Sequence, residues 1–361
     1  MNIGQLGFPG PFKQNKFPRA TEAEKHGGMM KRIAYHIVAV LAVLAFVGGS
    51  ALAQAVITSP SGTISLGVGQ LGNLGAGSLP STSNAPGLPY GIYYAPTNQD
   101  AVAPGCFCEG WGVSVNGTTS GGASIANPSP GNLTLVSFTS TATTATSITT
   151  LNGTGLQVSQ AYSPSSAPEA LFEDVVTLTN NGSTTLTNVS YARPTDWDIP
   201  PTEFDEYVTV GGVGATDLVF SNDNGFCSVD PLVACPDIIA GTDNVDFTKV
   251  GPTDQGSDFV FDFGSLTAGQ STTFDIFYGV GSDEANTVAA LGTVGAEVYA
   301  LGYASNGPGG TANTDSPVWA FGFSGVGGTP IEPVPVAPVP EPTSLILLGS
   351  GLAGIIARRK R

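Results

Sequence analysis

Five carboxylates, Asp196, Asp198, Glu203, Asp205 and Glu206, fall within eleven residues around Trp197 and the Pro200-Pro201 pair. Hard carboxylate oxygens suit calcium, and an indole among them could stack on a sugar ring. Asp196, Trp197, Asp198, Glu203 and Asp205 are therefore the candidate ligand or calcium site. The plainer reading is a solvated connection between strands with Trp197 in the core. It is preferred, because the acids match no EF-hand spacing and acids are plentiful in this chain. Glu109 and Trp111, just after Cys106 and Cys108, could line a binding groove, although a Trp beside cysteines is more often core packing. Asp217, Asp223 and Asp230 with Asn222 and Asn224 form a second polar group, in which Asn224-Gly225 reads first as a turn.

A glycan-cleaving enzyme would need two facing carboxylates roughly 5–9.5 Å apart. Many pairs exist, and none is singled out. Both histidines, His26 and His36, lie in the first 53 residues, so the segment 54–340 has none. That removes Ser-His-Asp and Cys-His catalysis, histidine zinc sites and an imidazole pH switch. The same segment holds two cations, Arg193 and Lys249, against 25 acids, a formal charge near −23. Such a surface repels nucleic acid and anionic membranes and favours solubility or divalent cations.

The N-terminal stretch carries an export signal. Lys31 and Arg32 precede the apolar run Ile33 to Val47, which Gly48, Gly49 and Ser50 break. Ala51 and Ala53 supply the small residues a signal peptidase accepts, so cleavage is expected after Ala53. A retained anchor fits less well, since the run is short for a span. Residues 1–28, with Pro9, Pro11 and Pro18, fit no part of a leader. Translation is therefore expected to start at Met29 or Met30, leaving 29–53 as the signal peptide.

At the other end, Pro340-Glu341-Pro342 leads into an apolar run to Ala357, and Arg358-Arg359-Lys360-Arg361 closes the chain. As a helix that run rises roughly 21 Å against a hydrocarbon core of roughly 30 Å. Gly349, Gly351 and Gly354 weaken it further. The terminal cations stay on the cytoplasmic side, which places the preceding chain outside. A short anchor behind an extended, accessible bond is what a membrane protease needs. Residues 339–361 resemble the PEP-CTERM sorting domain. The resemblance implies processing by an exosortase, a membrane cysteine-dependent enzyme of Gram-negative bacteria that make exopolysaccharide. It also implies passage through the inner membrane, held there transiently by the C-terminal helix, and residence at the cell surface. Cys108-Glu109-Gly110-Trp111-Gly112 and Asp196-Trp197-Asp198-Ile199 with Pro201-Thr202 also look like segments recurring in exported PEP-CTERM proteins of unassigned function.

Export bears on Cys106, Cys108, Cys227 and Cys235, because an oxidising compartment favours disulfides. A bond within Cys106-Phe107-Cys108 would be strained, Cys227 and Cys235 could close a loop, and all three pairings stay open.

The elements that position these residues read as strands. Charged residues are only 11% of the chain, while 41% hydrophobic content with 18 Phe and 10 Tyr can fill a core. Strands are expected at 63–68, 132–139, 156–162, 172–179, 185–192, 206–210, 217–221, 258–263, 272–278, 296–301 and 318–323. Asn180-Asn181-Gly182 has the chemistry of a tight hairpin turn between the strands at 172–179 and 185–192. Leu266 to Gln270 reads as a second hairpin. One short helix is expected over 283–291, with Ser282 as N-cap. The fold class is all-β, a large antiparallel β-sandwich over 106–328. Residues 54–105, rich in Gly, Ser and Pro, read as a loose arm or as irregular covering for the first sheet. Residues 329–338 form a Pro-rich linker.

Asn116, Asn132, Asn152, Asn181 and Asn188 each begin Asn-x-Ser/Thr, which composition alone explains in so Ser/Thr-rich a chain. Three function classes fit. The expected one is a non-enzymatic surface or matrix protein associated with exopolysaccharide or biofilm. The others are a carbohydrate-binding module, which needs exposed aromatics, and a carboxylate-dependent glycan hydrolase or lyase, which needs a cleft.

Overall fold

The computed structural model describes residues 54–307 and 309–332. The export signal with Ala51 and Ala53, most of the linker, and the sorting tail with Pro340, Glu341 and Pro342 lie outside the described residues. No described helix is long and apolar enough to cross a membrane.

Three antiparallel sheets share out the strands. β1 (Ala55–Thr58), β2 (Ile64–Val68), β3 (Ile92–Tyr94) and β4 (Gln99–Asp100) form a small sheet in sequence order. β5 (Gly110–Val115) and β6 (Thr119–Ser124) open a second sheet as a hairpin. β7 (Leu133–Ser140), β8 (Ala145–Leu151), β9 (Leu156–Pro164) and β10 (Leu171–Asn180) then run as a meander in a third. From there the chain alternates between the two larger sheets. β11 (Ser190–Trp197), β13 (Leu218–Asn222) and β15 (Gln255–Asp262) join the second. β12 (Glu206–Gly211), β14 (Phe247–Thr253), β16 (Ser271–Gly281), β17 (Val298–Tyr303) and β18 (Val318–Ser324) join the third. The five-stranded order is β13-β15-β11-β5-β6 and the nine-stranded order is β14-β12-β17-β18-β16-β10-β9-β8-β7.

The two larger sheets are the layers of a β-sandwich. Period-two alternation sends Phe274, Ile276, Tyr278 and Val280 of β16, with Phe321 and Phe323 of β18, into one interior. There they meet Tyr191, Phe259 and Phe261 of the facing sheet. Tyr191 stands edge-on to Phe274 at 5.0 Å between centroids, and Phe261 lies 4.7 Å from Phe323. Such aromatic pairs contribute about 0.5–1.5 kcal/mol each beyond the area they bury.

The helix α1 (Glu284–Val294) covers the outer face of the nine-stranded sheet. Its Ala290 and Leu291 pack in a second cluster with Phe277, Leu301, Val318 and Ala320. The N-cap is Asp283, whose carboxylate accepts from Asn286 N at 2.8 Å, rather than the expected Ser282. Gly295, at φ 69°, ends the helix in the left-handed conformation favoured at that position.

Both expected hairpins are crossovers. β10 pairs with β9 and β16, while β11 pairs with β5 and β15 in the opposite layer. The chain at 181–189 therefore passes from one sheet to the other, and the chain at 263–270 passes back. The two arches lie side by side, bridged at Leu186 and Leu266. The side-chain amide of Asn180 donates to Thr184 O and Leu266 O, both at 2.8 Å, and its oxygen accepts from Gly182 N. Asn180 thus joins the arches from a fully buried position.

Residues 54–105 are not a loose arm: four short strands joined by long turns cover the sandwich. Ile57, Ile64, Leu66, Val68 and Ile92 are fully buried and belong to the same hydrophobic cluster as the sandwich interior. The loop after β2 inserts between the layers: Leu71 O accepts from Trp111 Nε1 at 2.8 Å, and Gly72 O accepts from Tyr162 OH at 2.6 Å.

Candidate functional site

The carboxylates of interest gather where the chain changes sheet. At the end of β11, Asp196 and Asp198 share one side of the extended backbone, while Trp197 between them points the other way. Trp197 is fully buried, and the aliphatic side chain of Ile199 packs beside it against Gly302. Asp254 occupies the single position between β14 and β15, a second change of sheet. Strand pairing holds the two corners together, since Trp197 stands opposite Gln255, and Glu206 opposite Thr253.

One oxygen each from Asp196, Asp198 and Asp254 lies within 4.8 Å of the others. Asp196 and Asp198 are buried and Asp254 is partly exposed. The backbone anchors both buried acids: Asp196 N donates to Cys108 O at 2.8 Å, and Asp198 N to Ala101 O at 2.9 Å. Three of their four side-chain oxygens find no such partner. Asp196 Oδ1, both oxygens of Asp198, Asp254 Oδ1 and Glu206 Oε2 are buried without a hydrogen bond.

Electrostatics follow from this isolation. Burial pushes Asp196 well above the carboxylate range, and Asp198, Asp254 and Glu206 push it further. Burial, reinforced by Asp254, Glu203 and Asp100, raises Asp198 to about 8. Glu206 is raised by burial to about 9 although Gln255 N donates to its other oxygen.

Compaction around the corner relies on two glycines. A Cβ on Gly105, at φ +66°, would stand 2.8 Å from Asp198 Oδ1, and one on Gly225 would strike Asp196 Cα. Gly225 brings the Cys227 loop against β11 from one side while the Cys106–Cys108 segment covers the other.

Of the expected ligand residues, Asp196 and Asp198 come together and Glu203 and Asp205 do not. Glu203 accepts from Asn84 at 3.3 Å, and Asp205 is exposed. Trp197 and Trp111 are both fully buried, so neither offers a face to a sugar. The solvated connection expected here is instead an inward-facing acidic corner. Asp254, nearly sixty residues along the chain from Asp196, was not foreseen. Its only sequence signal is an acid set between Pro252 and Gly256, the punctuation of a tight corner.

A second buried polar group crosses the interior. Arg193 pairs with Glu109 at 2.5 Å, both fully buried, and donates to Gln160 Oε1 and Tyr191 OH at 2.9 and 3.0 Å. Burial alone would lower the Arg193 pKa, but Glu109 and the hydroxyls of Tyr162, Tyr191 and Tyr278 hold it above its ordinary value. Glu109 Oε2 accepts from Leu74 N at 2.7 Å, and Tyr278 presents its ring to the guanidinium at 5.3 Å. Asp174 is buried nearby without a hydrogen bond, and burial lifts it to about 7 against the pull of Arg193. The Cys108–Gly112 and Asp196–Ile199 segments, separate in sequence, are therefore neighbours in space. Glu109 bridges Thr195, and Glu109 is the counter-ion of Arg193.

The disulfides are local, Cys106–Cys108 and Cys227–Cys235, with Cα separations of 5.2 and 5.6 Å. The bond within Cys106-Phe107-Cys108, expected to be disfavoured, forms with Phe107 at φ 50°, which turns the chain back. Asp223 accepts from Ile238 N, Ile239 N and the Thr242 hydroxyl, so its cluster closes a loop.

Among known families, residues 338–361 match the PEP-CTERM protein-sorting motif. No curated protein matches the chain. The motif supports an exported protein sorted to the cell surface by an exosortase.

Proposed function

We propose that this chain is a non-catalytic surface or matrix protein, carried to the envelope by its C-terminal motif and associated there with exopolysaccharide. The sorting motif at residues 338–361 carries this reading. In it, a signal peptidase cleaves after Ala53, the short C-terminal helix tethers the protein transiently, and an exosortase acts at Pro340-Glu341-Pro342. The acidic, histidine-free segment 54–340 and a sandwich with both larger layers packed on one aromatic interior support a scaffold rather than a catalyst.

The carbohydrate-binding alternative loses its main support, because stacking needs exposed aromatics and all three tryptophans are fully buried. A carboxylate-pair hydrolase would need opposed acids facing a glycan, whereas the clustered acids here are mostly enclosed.

Fractionation of the host with and without its exosortase, followed by mass spectrometry of the C-terminus, tests the proposal. The surface form should lack Arg358 to Arg361, and loss of the enzyme should trap the intact chain in the membrane. Surface protein that still ends at Arg361 would refute it.

A further inference from the structure

We infer that the corner formed by Asp196, Asp198 and Asp254 is a calcium site, with Glu206 beside it, that staples the two changes of sheet together. Three oxygens within 4.8 Å of one another lie no more than about 2.8 Å from a common centre, so a small side-chain adjustment brings all three to the ordinary calcium–oxygen distance of about 2.3–2.6 Å. The set comes from two chain segments far apart in sequence, so coordination would join β11, β12, β14 and β15 at a point where the ladder of each sheet ends.

Two further observations point to a ligand. Asp196 Oδ1 and both Asp198 oxygens are buried and have no hydrogen-bond partner, although buried polar atoms nearly always do. Among the described residues no cation is free to neutralise them either. The segment 54–332 contains only Arg193 and Lys249 as basic residues, and these are held by Glu109 and Glu284 respectively. Enclosed carboxylates without a counter-ion carry a large desolvation cost.

The donor chemistry selects among cations. The cluster is all oxygen, which suits calcium or magnesium rather than zinc or copper, and the nearby cysteines are tied up in disulfides. Calcium tolerates the irregular geometry of a corner built from loop and strand ends, whereas magnesium demands near-ideal octahedral ligands and keeps its waters. Extracellular calcium modules bind on the order of 10⁻⁴–10⁻³ M, a range in which an exported protein would load outside the cell.

The processed protein recovered from its host, stripped with a chelator, provides the test. Its melting temperature should rise by about 5 °C or more in millimolar CaCl₂, and less in MgCl₂. Isothermal titration calorimetry should give one calcium per chain. Asp254→Asn, at the partly exposed position, should abolish both responses while leaving the calcium-free melting temperature equal or higher, because it removes repulsion. Glu169→Gln, at an exposed position beside Thr63 and outside the cluster, should respond as the unmodified protein does. Calcium-independent melting with no heat of binding would overturn the inference, as would an Asp254→Asn variant that still gains the full shift. Neither result bears on sorting, which the C-terminal experiment tests separately.

Discussion

Arg193 shows how one residue can commit a whole interior. A guanidinium has five donors and no acceptor, so it can be buried only where several oxygens converge. Glu109, Gln160, Tyr162 and Tyr191 supply them from strands of both layers and from the approach to β5. Both terminal nitrogens of Arg193 are held by this set while its Nε has no partner, so removing one member leaves the guanidinium further short of acceptors. Glu109→Ala should therefore destabilise the protein by about 3–5 kcal/mol, because it leaves a buried cation unpaired. Urea denaturation would measure this, and a loss below about 1 kcal/mol would mean that solvent reaches Arg193. By contrast the pair Lys249–Glu284, at 2.9 Å and roughly one-third exposed on each side, is the kind of surface contact that contributes little.

At the scale of elements, the segments after β10 and after β15 explain why turn chemistry misled. Asn-Gly fits a two-residue hairpin, and β10 before it alternates cleanly. Alternation, however, specifies which face of a strand is buried, not which sheet the strand joins. Once β10 has β9 and β16 on its two sides, no edge is left for β11. The chain must cross to the other layer, and Asn180 rather than the Asn181-Gly182 pair becomes the critical residue. Asn180→Ala removes three hydrogen bonds and takes the side-chain donor from Thr184 O, while Leu266 O keeps only Leu186 N. It should cost about 2–3 kcal/mol, whereas Asn181→Ala, at an exposed position, should change stability by less than about 0.5 kcal/mol. A hairpin would give the opposite order, so equilibrium unfolding of the two variants separates the topologies.

For the molecule as a whole, buried acids dominate the response to pH. Burial raises Asp100 to about 6, Asp174 and Asp258 to about 7, Asp198 to about 8 and Glu206 to about 9. The unfolded chain releases the corresponding protons near pH 4, while the folded protein keeps them to higher pH. Where the native state holds more protons, stability falls as pH rises. The contribution is therefore complete below about pH 4 and is lost progressively from there until pH passes the folded values of about 6 to 9. In chelator, the urea midpoint should decline from about pH 5 to about pH 9. Millimolar calcium should restore part of the loss at the alkaline end, since the metal replaces protons at Asp196 and Asp198. A midpoint that rises across this interval would show that these acids ionise freely in the folded protein.

The linear chain determined the address and the class of architecture. The proline-glutamate-proline stretch, the short apolar run and the terminal cations are contiguous, and recognition of an extended segment by a processing enzyme requires no tertiary structure. Strand patterning was legible for the same reason: Phe274, Ile276 and Tyr278 recur at period two, as do Trp319, Phe321 and Phe323, and burial of that face follows. The absence of histidine from segment 54–340 likewise pruned the chemistry open to that segment without any fold. Only the tertiary structure decided that Asp254 joins Asp196 and Asp198, that Glu203 and Asp205 turn away, and that Glu109 answers Arg193. These choices depend on which strands pair across long separations, and side-chain alternation is silent about partners. The tryptophans make the same point. Beside acids in sequence they resemble a sugar platform, yet in space they face the interior, because burying an indole stabilises the fold more than leaving it in water.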